Sequence, residues 1–180
     1  TQSALLEAME EGQVTVDGQT HRLPEPFIVI ATQNPVGAAG TQLLPDSQMD
    51  RFTVRLSMGY PDPKAECAMV TARQRGNPLD TLQQVLSRQE LTALQEQASQ
   101  VHLHPDLVSY IVRLITQTRS HVELLRGASP RATLSVAAMS KSFAFLQGRD
   151  YVTPEDVQAV FCDTVSHRLL LRPEAEVRGR

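Results

Sequence analysis

The spacing of apolar positions changes period along this chain, and each change marks a different element. In residues 1–11, Leu5, Leu6 and Met9 fall on one helical stripe, and Gly12 stands where a left-handed residue commonly ends a helix; the pattern predicts a helix. Val14 and Val16 then alternate with polar residues as far as Asp17-Gly18, a dipeptide suited to a type I′ turn, and residues 19–23 return as the second strand of a hairpin. Residues 27–31, FIVIA, form a continuous apolar run bounded by Pro26 and by Thr32-Gln33-Asn34-Pro35, which predicts a strand buried on both faces of a parallel sheet. Residues 35–47 carry turn formers and little periodicity and read as a loop, after which Phe52, Val54 and Leu56 alternate as another strand. Tyr60-Pro61-Asp62-Pro63 closes this unit.

From Lys64 the period becomes helical. Leu91, Leu94, Ala98 and Val101 make one stripe, and Leu107, Val108, Ile111, Leu114 and Ile115 make another. Ser129-Pro130 supplies an N-cap and an N1 proline for a helix running to Gly148, and Thr153-Pro154-Glu155-Asp156 does the same for the next. Residues 61–172 are therefore expected to form a helical bundle without strands, followed by a disordered tail beyond Pro173. The predicted architecture is an α/β unit over residues 1–60 and an all-α unit over 61–180.

Composition narrows the class. The chain is 41% apolar and 21% charged, which is globular usage, and no apolar run reaches the roughly 20 residues of a membrane span. Cys67 and Cys162 stand alone, with no C-x-x-C or Cys/His spacing, so no disulfide framework or zinc site is indicated and a reducing cytoplasm fits. The net charge of −3 is divided unevenly: three basic residues face seven acidic ones in 1–60, and fourteen face thirteen in 61–180. With so few lysines and no basic stripe, nucleic acid is not an expected partner. His102 and His104 have H-x-H spacing without a third ligand and read as a loop and helix-start feature, not a metal pair. Glu10 and Glu11 read as a solvated helix face, and no Ser/His/Asp or Cys/His set argues for covalent catalysis.

Three clusters carry candidate chemistry. The first, FIVIATQNP at 27–35, presents Asn34 at the end of the apolar run, where an amide is both donor and acceptor and can orient a water. The second, LPDSQMDRF at 44–52, contains Arg51, whose planar guanidinium forks onto phosphate oxygens. The third, GASPRA at 127–132, places Arg131 in the first turn of a helix, where the dipole disfavours a cation unless an anion is bound. Taken singly, Asn34 is also an ordinary turn residue before proline, and either arginine is also an ordinary surface side chain.

In this order and setting the clusters resemble sensor 1, the arginine-finger segment and sensor 2 of AAA+ ATPases. The opening TQSALLEAMEE with its Asp17-Gly18 hairpin resembles the MoxR branch, and the likeness covers nearly the whole chain. It implies the C-terminal part of an α/β AAA+ core followed by a helical lid. Asn34 would orient the attacking water, Arg51 would act on the neighbouring subunit's nucleotide, and Arg131 would reach the γ-phosphate in cis. It further implies ATP and Mg2+ as cofactors, a homo-oligomeric ring (a hexamer), cytoplasmic location, and chaperone-like remodelling or assembly of client or companion proteins. The sequence departs from the family in Gly37-Ala38-Ala39-Gly40, which lacks the usual acidic residues, and in Asp46-Ser47, which replaces the usual Glu-Ala. It also contains no G-x-x-x-x-G-K-[ST] and no apolar strand ending in Asp-Glu; in the family both lie upstream. These 180 residues alone are thus expected not to hydrolyse ATP, and the alternative reading is a non-catalytic protein-interaction module.

Overall fold

The computed structural model describes residues 2–33, 44–74 and 76–178. Asn34 and the Gly37-Ala38-Ala39-Gly40 stretch lie outside the described residues.

The chain begins with α1 (Gln2–Glu11) and the antiparallel hairpin β1 (Gln13–Val16) and β2 (Gln19–Arg22), as the pattern predicts. Asp17 and Gly18 both have positive φ, 51° and 78°, which makes the tip a turn of the mirror-image kind that matches strand twist. Glu7 fastens the helix to the hairpin: its carboxylate accepts from the Thr15 amide at 3.2 Å and the Thr15 hydroxyl at 2.6 Å.

Neither of the two longer predicted strands forms. Residues 27–33 and 54–60 have no ladder partner among the described residues, and Ile30 is 88% exposed. An extended apolar run becomes a strand only when neighbouring strands satisfy its amides and cover its faces, and no described segment lies beside it to do so. Between them, α2 (Asp46–Met49) is a single turn that leads into Asp50-Arg51-Phe52.

The second half comprises α3 (Pro63–Gln74), α4 (Arg88–Ser99), α5 (Pro105–Ser120), β3 (Leu124–Arg126), α6 (Pro130–Leu146), α7 (Pro154–Val165), β4 (Leu170–Leu171) and α8 (Pro173–Val177). Short 3-10 turns stand at Pro78–Thr81 and Ser166–Arg168. Local sequence fixes most helix starts. Ser87 and Glu90 form a capping box on α4, His104 caps α5 through its ring nitrogen and Ser129 caps α6. The imidazole of His104 is thereby a helix cap, as its spacing suggested. The core lies where α5, α6 and α7 meet, with Ile111, Ile115, Val136, Val157 and Val165 essentially inaccessible. Ala132, Val136, Ser140 and Ala144 recur every four residues along α6 and are all fully buried, so this face of small residues admits α7 at close range.

The bundle is not free of strands. Leu124 pairs with Leu171 and Arg126 with Leu170, and a parallel bridge joins His102 to Tyr151 ahead of α5 and α7. Such two- and three-residue pairings lack the alternation by which a strand is read, because they arise from loops laid side by side. The predicted disordered tail also contains α8, started by Pro173 and holding Ala175 at 3% exposure.

One polar pair inside this unit carries a measurable load. The Asp156 carboxylate, itself 2% exposed, takes both arms of Arg149 at 2.7 and 2.5 Å and accepts from the Thr153 amide at 2.7 Å. Arg149 first, then the Thr153 donors, hold its carboxyl below the usual range against the opposing effect of burial. Asp156→Ala is expected to destabilise the helical unit by about 3 kcal/mol, read as a fall in urea midpoint. Because the folded-state value is depressed, this contribution is complete above the unfolded carboxylate value, near pH 4, and disappears as pH falls below it. The difference between wild type and Asp156→Ala should therefore shrink in melts taken below about pH 4.

Candidate functional site

The arginine clusters lie far apart in sequence but converge in space. Arg51 follows α2, and Arg131 stands in the first turn of α6. Both guanidiniums pair with one carboxylate, Glu10 of α1, one on each oxygen. Glu10 is exposed, as its local sequence suggests, but it also bridges two cations. The helical stripe shows which way Glu10 points but not that two cations from residues 51 and 131 meet it there. The two hydrogen bonds, Arg131 first, hold its carboxyl below the ordinary value, so Glu10 remains an anion through neutral pH.

The start of α6 is set by its approach to α5. A side chain at Gly127 would meet the backbone of Thr118 and Arg119 at 2.5 Å, so only glycine allows this passage. The loop is then sewn down by Ala128, whose amide donates to Thr118 Oγ1 at 3.0 Å and whose carbonyl accepts from Arg119 Nε at 2.9 Å. Ser129 has two functions. Its hydroxyl oxygen accepts from the Arg131 amide at 3.2 Å as the helix cap, and its proton is directed at the Asp50 carboxylate, 2.9 and 3.1 Å away. The residue before one candidate arginine is therefore bonded to the cap of the other's helix.

Residues 46–55 are docked on the helical unit at further points. Asp46 pairs with Arg126 of β3 at 2.8 Å, which gives one of the two residues departing from the family pattern a definite contact. The Arg55 amide donates to the Asp163 carbonyl of α7 at 2.9 Å. The Phe52 carbonyl accepts from Arg168 Nη2 at 2.7 Å and His167 Nε2 at 2.9 Å. A carbonyl can only accept, so this contact requires the proton on Nε2, whereas the 3.3 Å approach of Arg168 Nε to the same nitrogen requires a lone pair there. Burial pushes the His167 ring below its usual value, and the nearby Arg168 and Arg55 charges act in the same sense. A second ring proton would sit on a buried Nδ1 with no partner among the described residues. Asp50, His167 and Arg168 were not singled out in the sequence, where D-R-F and H-R are common groupings without periodic signal.

Residues 1–54 match the model of the ATPase family associated with various cellular activities (AAA), and residues 116–180 match the AAA lid domain. Chaperone MoxR1 of Mycobacterium tuberculosis is 41% identical over 97% of the chain, and the chain covers 48% of it. The YeaC protein of Bacillus subtilis is 42% identical over 99% of the chain, which covers 56% of it. The chain belongs to the MoxR branch of the AAA+ ATPases.

A solved structure from Cytophaga hutchinsonii, described provisionally as an ATPase, superposes with a TM-score of 0.91 at 36% identity, over 99% of this chain and 57% of that one. The MoxR-type fold is accordingly an α/β AAA+ core joined to a helical lid. The chain spans about half the length of the curated relatives it matches. Among the described residues no helix is long and apolar enough to cross a membrane.

Proposed function

We propose that this chain supplies the hydrolysis-triggering residues of a MoxR-type AAA+ ATPase, with residues 1–60 belonging to its core and 61–180 forming its lid. The observation that carries this reading is the sharing of Glu10 by Arg51 and Arg131. A carboxylate presents two oxygens to the guanidiniums as a phosphate does, and two arginines converging on one anion make a fork suited to a γ-phosphate. ATP brings the phosphoryl bond that is cleaved, and its phosphate cradle and magnesium-binding acids come from sequence beyond these 180 residues. Arg51 and Arg131 neutralise charge that develops on the phosphate oxygens, and Asn34 orients the attacking water.

Arg51 as a finger acts on the neighbouring subunit's nucleotide, which makes hydrolysis depend on a homo-oligomeric ring, a hexamer. The shared carboxylate modifies the expected role of Arg131. If Arg51 faces the neighbour, Arg131 faces the same nucleotide, and the geometry favours action in trans for both over the cis role inferred from the motif alone. Phosphate then displaces Glu10, and α1, fastened to the hairpin through Glu7, feels the exchange. This gives a route from nucleotide to the Asp17-Gly18 tip and to client or companion proteins, which the name of the mycobacterial relative, a chaperone, supports as the working partners. A cytoplasmic location fits this role.

Calorimetry with ATP and Mg2+ on the longer encoded protein and on the 180-residue chain tests the proposal. Binding by the longer protein alone is expected; failure of both to bind would leave the interaction-module reading in its place. In the longer protein, Glu10→Gln keeps a hydrogen-bond acceptor but removes the competing charge, and is expected to lower the KM for ATP by a few-fold.

A further inference from the structure

The finger segment and the lid are joined through a buried arginine that neither motif includes, and this inference rests on Arg51 being the finger. The Arg168 side chain is 1% exposed. Its Nη2 donates to the Phe52 carbonyl at 2.7 Å and to Ser135 Oγ at 3.1 Å, while its Nε faces Asp50 Oδ1 at 3.5 Å. Asp50 and Phe52 are the residues on either side of Arg51. Ser135 lies one turn beyond Arg131 on α6. One guanidinium therefore holds both flanks of the finger and the helix that carries the second arginine.

The links close into a loop of hydrogen bonds and one ion pair. The Arg131 amide donates to Ser129 Oγ, Ser129 donates to Asp50, and Arg168 faces Asp50 while also holding Ser135 and the Phe52 carbonyl. His167 Nε2 lies 2.9 Å from the same carbonyl. The backbone of Arg51 is bracketed from both sides, and its distance from Arg131 is set by this loop and not by either segment alone. Removing a guanidinium from water is costly, and Asp50 opposes that cost. A lysine ammonium could replace the Nη2 donor to the Phe52 carbonyl and Ser135 but not also the Nε that faces Asp50, because its donors radiate from a single point.

We propose that Arg168 is a positioning residue for the finger: it locks Asp50-Arg51-Phe52 to the lid, so that Arg51 and Arg131 keep a fixed spacing and move as one body when the lid moves. A displacement of about 1 Å at a reacting group is enough to cost about 100-fold in rate. Loss of Arg168 should therefore reduce kcat while leaving the subunit's own nucleotide pocket intact.

The test uses the full-length protein with Arg168→Lys, Ser135→Ala and, in parallel, Arg51→Ala. Arg168→Lys is expected to lower kcat by about 100-fold, with ATP affinity unchanged within about twofold by calorimetry, a shift too small to signify a lost contact. It should regain activity in mixed rings with subunits whose P-loop lysine is replaced but whose fingers are wild type. A merely structural lesion would lower affinity and would not be rescued by a neighbour. Wild-type kcat in Arg168→Lys, loss of ATP binding, or absence of rescue would each overturn the proposal. Should Arg168→Lys fail to fold, Ser135→Ala decides: a several-fold fall in kcat at unchanged affinity supports the joint, and an unchanged kcat overturns it. If Arg51→Ala itself keeps its activity, the finger assignment fails, a result distinct from failure of Arg168 alone.

Discussion

Arg51→Ala in the full-length protein should abolish ATP hydrolysis while sparing ATP binding. An arginine acting on a neighbour's phosphates contributes on the order of 10³-fold or more to kcat, because it meets charge that develops only as the phosphoryl bond breaks. Ground-state affinity is set mainly by the phosphate cradle, so calorimetry should find ATP affinity within a few-fold of wild type. Equal loss of binding and turnover would count against the finger role. The same substitution leaves Glu10 with Arg131 alone, so the Glu10 carboxyl should rise toward its ordinary value, visible by NMR titration of the 180-residue chain.

Arg131→Ala should carry the next largest effect, a loss of about 100-fold in kcat, comparable to removing one donor from a preorganised anion site. If both arginines serve one nucleotide, the Arg51→Ala, Arg131→Ala double variant will be little worse than Arg51→Ala alone, since side chains that act as a unit are far from additive. Mixed rings separate the two possible directions of action. An Arg131→Ala subunit with an intact P-loop regains hydrolysis beside wild-type neighbours if Arg131 works in trans. It stays inactive if Arg131 works on its own subunit's nucleotide. The pairing of both guanidiniums with Glu10 leads us to expect rescue.

Much of the local structure was legible in the sequence because it depends on short-range chemistry. The hairpin needed only Asp17-Gly18 and the alternating valines, and the starts of α6 and α7 needed only Ser129-Pro130 and Thr153-Pro154. The helical stripe of α5 correctly placed Ile111 and Ile115 in the core. Family membership was legible for a different reason: three short motifs in fixed order carry information that no single one does, and the comparisons support it. The apolar pattern failed at residues 27–31, since a strand is a property of its neighbours as much as of its own side chains. It also missed the short β3–β4 pairing and α8.

The candidate site divides in the same way. Sequence alone selected Arg51 and Arg131, because an arginine in a recognisable motif or at a helix start is a local fact. It assigned Glu10 no partner and passed over Asp50, His167 and Arg168, because each acquires its meaning from partners tens to more than a hundred residues away. The charge of each side chain was written in the chain; which charges face one another was decided by packing α1, α6 and the Ser166–Arg168 turn around residues 46–55. Hydrogen bonds and ion pairs act over a few ångströms, so sequence dictates the available donors and acceptors while only the tertiary fold brings them within reach.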